Sequence, residues 1–221
     1  MPPLLSPVLI LASRSPRRAR LLREAGFEIE QQQSPFDDPL TPESTGQTPE
    51  QLAVDLARRK AEALWRTLPH DNDDSDRGPQ RVVLAADTLA IAPDRRTLLG
   101  TPHTRAEAEA MIRSFLHADH EVITGVCLLA DRHEPVAFAD AARVRLGGVS
   151  DEQLTSYLDT GDWSDKAGGY NLVDRQRAGW PITTQGDPTT IVGLPMRRLV
   201  EVLQTFGVPR RDGFSPASAT V

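Results

Sequence analysis

Two short runs of apolar residues constrain the fold of this chain more than any other feature of its sequence. They read V-L-I-L-A at 8–12 and V-V-L-A-A at 82–86. Their length and branched side chains are typical of buried strands. Helix signals follow the first run, since Ser15 is a suitable N-cap before Pro16 and T-P-E-Q at 48–51 is a capping box. Because strands alternate with helices, the sequence predicts an α/β fold.

The rest of the chain continues this alternation with a mixed middle part. The periodicity predicts strands at 27–31, 81–86, 121–129 and 137–146, and helices that begin at the caps Ser15, Thr48, Thr104 and Ser150 and at Pro195. After Gly207, which ends the last predicted helix, no periodicity remains. We expect a single domain over residues 1–208 and a flexible C-terminal tail over residues 209–221.

The bulk composition restricts the class of partner. With 221 residues, of which 39% are hydrophobic and 25% charged, the chain has the composition of an ordinary soluble globular protein. Its formal net charge of −6 argues against a general nucleic-acid surface, so an anionic ligand needs a locally basic pocket. The first apolar run is too short to span a bilayer, and no basic region precedes it. We therefore expect a cytoplasmic protein with neither a membrane nor a nucleic-acid partner.

The turn S-R-S-P-R-R at 13–18 is a candidate anion site. It links the first strand to the first helix and places Arg17 and Arg18 in the first helical turn. Cations at that end oppose the helix dipole, which is a sensible arrangement if an anion binds there. Free N–H groups, the hydroxyls of Ser13 and Ser15 and two guanidinium groups would then converge on the anion. The alternative is a surface turn with solvated arginines.

A carboxylate and two lysines are further candidates. Asp87 and Thr88 directly follow the second apolar run, and ligands gather at the carboxyl ends of strands in open α/β sheets. Asp87 is equally suited to capping a turn. Lys166 precedes small residues in S-D-K-A-G-G-Y at 164–170, where a backbone can approach a phosphate closely, although an exposed glycine loop has the same sequence. Lys60, by its position alone, reads as a solvated helical residue.

The signals for metal binding are weaker. Asp37 and Asp38 form an acidic pair that suits either solvent or Mg²⁺, which prefers carboxylate oxygens. His120 and Glu121 lack the second histidine of a zinc-protease helix, so zinc is discarded. The single cysteine, Cys127, lies in an apolar run and is expected to be a buried, inert thiol. None of the common nucleotide-binding loops is present.

Six segments, taken in order, resemble the Maf family. They are S-R-S-P-R-R at 13–18, K-A at 60–61, A-A-D-T at 85–88, H-E-V-I-T-G-V at 120–126, D-K-A-G-G-Y at 165–170 and V-G-L-P at 192–195. Together they extend over residues 8–205, nearly the whole chain. Agreement of six segments in the family order is far more specific than any single short motif, and the sequence is identified as a member of this family.

The resemblance implies a nucleoside triphosphate pyrophosphatase. Such enzymes cut between the α- and β-phosphates, and release a nucleoside monophosphate and pyrophosphate, with a divalent cation such as Mg²⁺ or Mn²⁺. The fold that it implies is a mixed twisted sheet with flanking helices, in two lobes around a deep cleft, like that of inosine triphosphate pyrophosphatases. It also implies a homodimer. Known branches prefer dTTP and UTP, or 7-methyl-GTP, and the family is linked to removal of modified nucleotides and to arrest of cell division.

The same resemblance implies roles for individual residues by matching position. Asp87 is the implied proton acceptor and a metal ligand, and Asp38 falls near a glutamate with which the family binds metal. Arg17 and Thr88 match positions tied to the choice of base in the dTTP/UTP branch. The implied phosphate-binding residues are Ser13, Arg17, Arg18, Lys60 and Lys166.

Two positions depart from the family pattern. This chain has G-T-P at 100–102 where the family has G-K-P, and N-L-V-D at 171–174 where it has G-I-Q-G, so Thr101 replaces a lysine and Val173 a glutamine. A lost amide changes base discrimination, so dTTP/UTP specificity is not assigned from the sequence. Two alternatives stay open: a catalytically weakened nucleotide-binding regulator linked to cell-division arrest, and a phosphatase that releases phosphate one group at a time.

Overall fold

The computed structural model of the chain describes residues 6–37, 46–69, 79–131, 133–164 and 166–211. Its strands are β1 (Val8–Ala12), β2 (Glu30–Gln32), β3 (Arg81–Ile91), β4 (Leu98–Leu99), β5 (Ala118–Ala130), β6 (His133–Leu146) and β7 (Ile182–Gln185). Its helices are α1 (Pro16–Glu24), α2 (Pro49–Trp65), α3 (Arg105–Phe115), α4 (Asp151–Asp159), α5 (Leu172–Arg177), α6 (Pro188–Val192) and α7 (Met196–Thr205). A 3₁₀ turn at Ala167–Gly169 precedes α5.

The longer helices begin where the sequence predicts. The side chains of Ser15, Thr48, Thr104 and Ser150 each accept a hydrogen bond from a backbone N–H in the first turn of the helix that follows. An oxygen at this position satisfies an N–H that has no partner inside the helix, so each cap fixes the start of its helix. The short elements β4, β7, α5 and α6 were not predicted.

One mixed sheet organises the molecule and confirms the predicted α/β class. The described strands lie in the order β2-β1-β3-β5-β6-β7, and β4 pairs with β3. Strand β1 is parallel to both β2 and β3, whereas β3, β5, β6 and β7 are antiparallel in succession. Within the described residues, no helix combines the length and apolar character that crossing a bilayer requires.

The edge of β3 that faces β1 contains a gap. Strand β1 pairs with β3 only as far as Leu84, and β4 pairs with it at Ala90 and Ile91, whereas β5 accompanies the opposite edge along the whole stretch. Residues 85–89 therefore have no strand partner on the β1 side among the described elements. The expectation that the strand ends at Asp87 is wrong, because pairing with β5 carries β3 on to Ile91.

Helix α2 covers one face of the sheet at very short range. A Cβ atom added at Gly125 would lie 2.2 Å from the carbonyl carbon of Ala53 in α2, so only glycine permits this approach. The apolar contacts of this face include Ile10, Ala57, Ala61, Leu64, Val83, Ala85 and Cys127. Burial raises the pKa of the Cys127 thiol to about 11, which agrees with the predicted inert role.

The opposite face of the sheet carries two apolar clusters. One joins α1 and α7 to the strands through Leu9, Leu11, Leu22, Leu84, Leu199 and Leu203. The other joins α3 and α4 to β5 and β6 through Ile112, Phe115, Val122, Val144, Leu154 and Leu158. A cleft is lined by residues that belong to or border both clusters, such as Val122 and Val192.

The chain after α7 stays attached to this body at first. Arg210 forms a β-bridge with Phe27, and its Nε donates a hydrogen bond to the Ala25 carbonyl at 2.6 Å. Arg211 pairs with Glu28 at 2.5 Å. The packed part of the protein therefore reaches residue 211, and the remainder of the predicted tail, residues 212–221, lies outside the described residues.

Candidate active site

The turn between β1 and α1 adopts the capped geometry that the sequence indicates. The Ser13 hydroxyl oxygen accepts a hydrogen bond from the Ser15 backbone N–H at 3.1 Å, and the Ser15 hydroxyl accepts one from the Arg18 N–H at 3.4 Å. Pro16 occupies the first helical position, where its missing N–H has no consequence. These contacts hold the positive end of α1 next to the gap in the sheet.

Arg18 is fixed by contacts with three separate segments. Its Nε donates to the Gly193 carbonyl at 3.0 Å, one terminal nitrogen donates to Ser13 Oγ at 3.3 Å, and the other donates to Thr88 Oγ1 at 3.0 Å. Gly193 has φ of 119°, and a Cβ added there would lie 2.9 Å from Arg18 Nε. The rigid guanidinium fork thus ties the first turn to β3 and to the end of α6.

Arg17 differs from its neighbour. Its side chain is exposed, lines the cleft and forms no hydrogen bond or ion pair with the part of the chain that the structure describes. The sequence placed both arginines at the phosphates, but the structure gives them different surroundings. Arg17 presents an available cation, whereas Arg18 holds the site together.

A row of hydroxyl groups continues inward from Arg18. The Thr88 and Thr124 hydroxyl oxygens lie 2.9 Å apart, and Thr124 Oγ1 donates to the Thr190 carbonyl at 2.7 Å. Thr124 and Thr190 are fully buried. In the sheet, Thr88 faces Thr124 across β3 and β5, and Thr124 faces Asp140 across β5 and β6, which explains why these polar groups meet.

Asp87 points to the other side of the sheet from Thr88, because successive side chains of a strand alternate. Its Oδ1 lies 2.5 Å from the Lys60 ammonium of α2, and the two side chains are only 11% and 13% exposed. Lys60 is therefore not the solvated helical residue that its position alone suggested. Gly125 is the cross-strand neighbour of Asp87, so the close approach of α2 over that glycine brings Lys60 within reach.

The cleft has a volume of about 620 Å³ and is locally basic, although the chain as a whole is acidic. Its lining contains five cationic residues against one carboxylate, Asp174. These cations are Arg17, Arg18, Arg20, Lys166 and Arg177. Such a balance attracts a polyanion, in agreement with the locally basic pocket that an anionic ligand requires.

The rest of the cleft is largely aliphatic. It is lined by Ala90, Val122, Val144, Leu172, Val173, Ile191 and Val192. His120 and Tyr170 line it as well, with the His120 Nε2 atom 2.9 Å from the Tyr170 hydroxyl. Burial lowers the pKa of His120 to about 4, and its ring stacks on Phe115 with centroids 4.8 Å apart. This part of the cleft accepts a flat apolar group and carries no buried charge at neutral pH.

Lys166 lines the cleft from the loop before α5. Its ammonium donates a hydrogen bond to the backbone carbonyl of Asp162. The same loop is tied to the chain after β4, because the Gly168 N–H donates to the Gly100 carbonyl at 3.2 Å. Thr101, one of the two departures from the family pattern, lines the cleft beside it.

The structure thus brings most of the sequence-predicted site residues to the gap in β3, on two sides of the sheet. Ser15, Arg17, Arg18, Thr88 and Lys166 line the cleft, Ser13 contacts Arg18, and the pair of Asp87 and Lys60 lies on the α2 side. Asp38 lies outside the described residues.

Sequence reasoning missed Thr124, the pair of His120 and Tyr170, and the cleft arginines Arg20 and Arg177. Thr124 and His120 stand in a segment that supports the family resemblance, but their partners lie on other strands and loops. Within the described residues, no group of three or more His, Cys, Asp or Glu side chains has the arrangement of a metal site.

Comparison with known proteins gives a consistent result. The family model described as Maf-like protein matches residues 8–206. A protein named dTTP/UTP pyrophosphatase from Symbiobacterium thermophilum is 37% identical over 201 residues, which cover 91% of this chain and 95% of the relative. Proteins with the same name from Koribacter versatilis and Rhodopirellula baltica are 36% and 38% identical and cover 90% of this chain, with 95% and 82% of their own lengths matched.

Proposed function

The chain belongs to the Maf family, and we propose that it is a nucleoside triphosphate pyrophosphatase that releases a nucleoside monophosphate and pyrophosphate. One observation supports this proposal most. At the gap in β3, Asp87 directly precedes Thr88 in the strand, so a carboxylate that faces α2 and a residue that lines a cleft with five cations are neighbours at one open edge. Hydrolysis of a phosphoric anhydride needs these two things: charge stabilisation and a group that directs water.

The cleft side of the gap binds the substrate in this proposal. Arg17 and Lys166 contact phosphate oxygens, and the positive end of the α1 dipole adds to the attraction. Arg18 orders the turn that carries them, through its bonds to Ser13, Thr88 and Gly193. The aliphatic part of the cleft receives the nucleoside, since a base presents flat apolar faces.

The α2 side of the gap carries out the chemistry. Because no described strand pairs with residues 85–89 on that edge, a polyphosphate that crosses the edge reaches the carboxylate of Asp87. Asp87 then orients the attacking water and accepts its proton. Lys60 balances the charge of Asp87 and holds its Oδ1, which leaves the second carboxylate oxygen for this task.

The donor set fits a divalent cation such as Mg²⁺ or Mn²⁺. Magnesium is usually held by one or two carboxylates together with substrate phosphates, and Asp87 supplies one such carboxylate at the gap. Asp38 is the second ligand expected from the sequence. A bound cation would neutralise phosphate charge and lower the pKa of a coordinated water.

The test is an analysis of products. Wild-type protein is incubated with dTTP, UTP, the other nucleoside triphosphates and a set of modified ones, with Mg²⁺ or Mn²⁺. We expect equal amounts of monophosphate and pyrophosphate from at least one of them. Stepwise release of inorganic phosphate contradicts the proposal and supports a phosphatase. Tight nucleotide binding without turnover contradicts it too, and supports the regulator that Thr101 and Val173 leave open.

The names of the relatives make dTTP and UTP the first substrates to test. Val173 lines the cleft with an aliphatic side chain, which gives a base edge no hydrogen-bonding partner at that position. The homodimer, the cytoplasmic location and the link to cell division stay predictions.

A further inference from the structure

The hydroxyl row behind Arg18 has a fixed direction of hydrogen bonding. At one end, the Arg18 guanidinium can only donate, and it donates to Thr88 Oγ1 at 3.0 Å. At the other end, the Thr190 carbonyl can only accept, and it lies 2.7 Å from Thr124 Oγ1. Two oxygens at that distance need a hydrogen between them, so the single hydroxyl hydrogen of Thr124 points to Thr190.

This assignment decides the contact in the middle of the row. Thr88 Oγ1 and Thr124 Oγ1 lie 2.9 Å apart, a distance that again requires one hydrogen between them. Thr124 has none left, so the hydrogen comes from Thr88. The hydroxyl of Thr88 therefore donates inward and also accepts from Arg18, and of its three hydrogen-bonding capacities only one acceptor lone pair remains.

Thr88 nevertheless lines the cleft, at the boundary between its two parts. Arg18 stands on one side of it, and Ala90, the next residue of β3 on the same face, belongs to the aliphatic lining on the other. A substrate whose phosphates lie at the cations and whose nucleoside lies in the aliphatic part passes over Thr88. The group that meets Thr88 then belongs to the sugar or the base.

The family resemblance already ties Thr88 to the choice of base. We propose that buried Thr124 is the positioning residue that makes the Thr88 hydroxyl an acceptor only, so that Thr88 selects substrates presenting an N–H or O–H donor at this point. The inference rests on the proposed function, because it concerns how the same cleft discriminates among nucleotides. It excludes a phosphate oxygen or a base carbonyl as the partner of Thr88, since both are acceptors. The donor has two sources, the imino N–H of a base and a ribose hydroxyl.

Wild-type protein separates these two sources without any mutation. The base arm compares kcat/KM for UTP with that for N3-methyl-UTP, which lacks the imino donor. The sugar arm compares UTP with its 2′-deoxy and 3′-deoxy forms. We expect a loss of about tenfold or more in one arm, since a site built around a donor rejects the analogue that lacks it. Equal turnover of UTP and all three analogues overturns the proposal.

Variants then show whether the loss of kcat/KM with that analogue depends on the hydroxyl row of Thr88 and Thr124. In Thr88→Val, kcat/KM for UTP and for the analogue that lacks the donor should differ by less than about threefold, because the acceptor oxygen is gone. In Thr124→Val the hydrogen of Thr88 is released and can turn to the cleft, so the same discrimination should shrink, whereas Thr124→Ser should restore it. Thr67→Val, at the end of α2, removes a hydroxyl that bonds only to its own helix and serves as the matched control. Discrimination that persists unchanged in Thr88→Val contradicts the proposal.

A direct measurement keeps the inference separate from the proposed activity. Neutron diffraction of the wild-type protein locates the hydroxyl hydrogens of Thr88 and Thr124. We expect the first between the two threonine oxygens and the second on the line to the Thr190 carbonyl. A Thr88 hydrogen that points into the cleft overturns the inference even if the protein releases pyrophosphate. Absence of turnover with the expected hydrogens contradicts the proposed function alone.

Discussion

The two sides of β3 at its gap differ in chemical character. On the α2 side, Asp87 and Lys60 form an ion pair at 2.5 Å in which both side chains are nearly buried. On the cleft side, Thr88 belongs to a neutral hydroxyl row that opens to a basic cleft of about 620 Å³. Asp87 and Thr88 are consecutive residues of one strand, yet they lie on opposite sides of the sheet, because successive side chains alternate.

The difference has energetic consequences. Removing one partner of a buried ion pair leaves an uncompensated charge, which destabilises proteins by about 3–5 kcal/mol. Each neutral hydrogen bond of the row contributes only about 1 kcal/mol to stability. We therefore expect changes on the α2 side to affect chemistry and folding strongly, and changes on the cleft side to affect mainly recognition.

The largest effect is expected from Asp87→Asn. The amide keeps the shape of the side chain but cannot accept the proton of the attacking water, so kcat should fall by about a thousandfold. Pyrophosphate release at saturating substrate measures this. Asp159→Asn, on the exposed end of α4, is the matched control and should keep the wild-type rate. Wild-type turnover in Asp87→Asn would show that the Asp87 carboxylate is not needed for hydrolysis.

Gly125→Ala tests what holds the acid and its lysine together. The new Cβ would lie 2.2 Å from a backbone carbon of Ala53, which cannot move without shifting α2. We expect the free energy of unfolding to fall by about 3 kcal/mol, since overpacking at a backbone contact cannot relax by a rotamer change. Urea denaturation measures the loss.

The control for this prediction is Gly100→Ala. An added Cβ at Gly100 meets nothing within 4 Å, so the unfolding midpoint should stay close to that of the wild type. A Gly125→Ala protein as stable as the wild type would show that the close packing of α2 is not needed to bring Lys60 to Asp87.

The two adjacent arginines offer a smaller test, on the cleft side. A lysine at position 18 cannot reproduce the fork that reaches Ser13, Thr88 and Gly193 together, so Arg18→Lys should lower the free energy of unfolding by about 2 kcal/mol and also raise KM. Arg17→Lys should leave stability within about 0.5 kcal/mol of the wild type, because Arg17 is exposed. Thermal unfolding and substrate titration of both variants give the comparison. Equal stability losses would show that the two side chains do not differ as described.

The smallest expected effect is the pH dependence of stability that His120, on the cleft side, causes. Burial lowers the pKa of His120 from 6.5 to about 4. The unfolded chain therefore binds a proton at a higher pH than the folded one, so stability is lost as the pH falls from about 6.5 towards 4 and is fully present above that window. Unfolding free energies at pH 7.5 and about pH 5 should differ less in His120→Phe, which keeps an aromatic ring over Phe115, than in the wild type. The same pH dependence in both proteins would assign it to other groups.

Features that depend on a few neighbouring residues were predictable. The caps at Ser15, Thr48, Thr104 and Ser150 all form as expected, because a side-chain oxygen needs only the N–H groups of the next helical turn. The two apolar runs became buried strands for a similarly local reason. The short elements β4, β7, α5 and α6 carry too few residues to show a period, and the sequence did not reveal them.

The site was predictable as a set of residues but not as an arrangement. The sequence, with its family resemblance, identifies the turn at 13–18, Asp87, Thr88, Lys60 and Lys166 as candidate site residues. The sequence placed Asp87 beyond the end of a strand, whereas it lies inside β3, in a stretch of the strand edge with which neither β1 nor β4 pairs. Thr124 was missed because its partners come from other strands and from α6.

The sequence by itself determined the longer helices and strands, the family and the candidate residues, since caps, apolar runs and short motifs are properties of adjacent positions. Only the tertiary structure decided that the side chains of Asp87 and Thr88, which are neighbours in the chain, lie on opposite faces of the sheet. The physical reason is that pairing with β5 keeps both residues in an extended strand, while the approach of α2 over Gly125 brings Lys60 to one face and the bonds of Arg18 bring the first turn to the other.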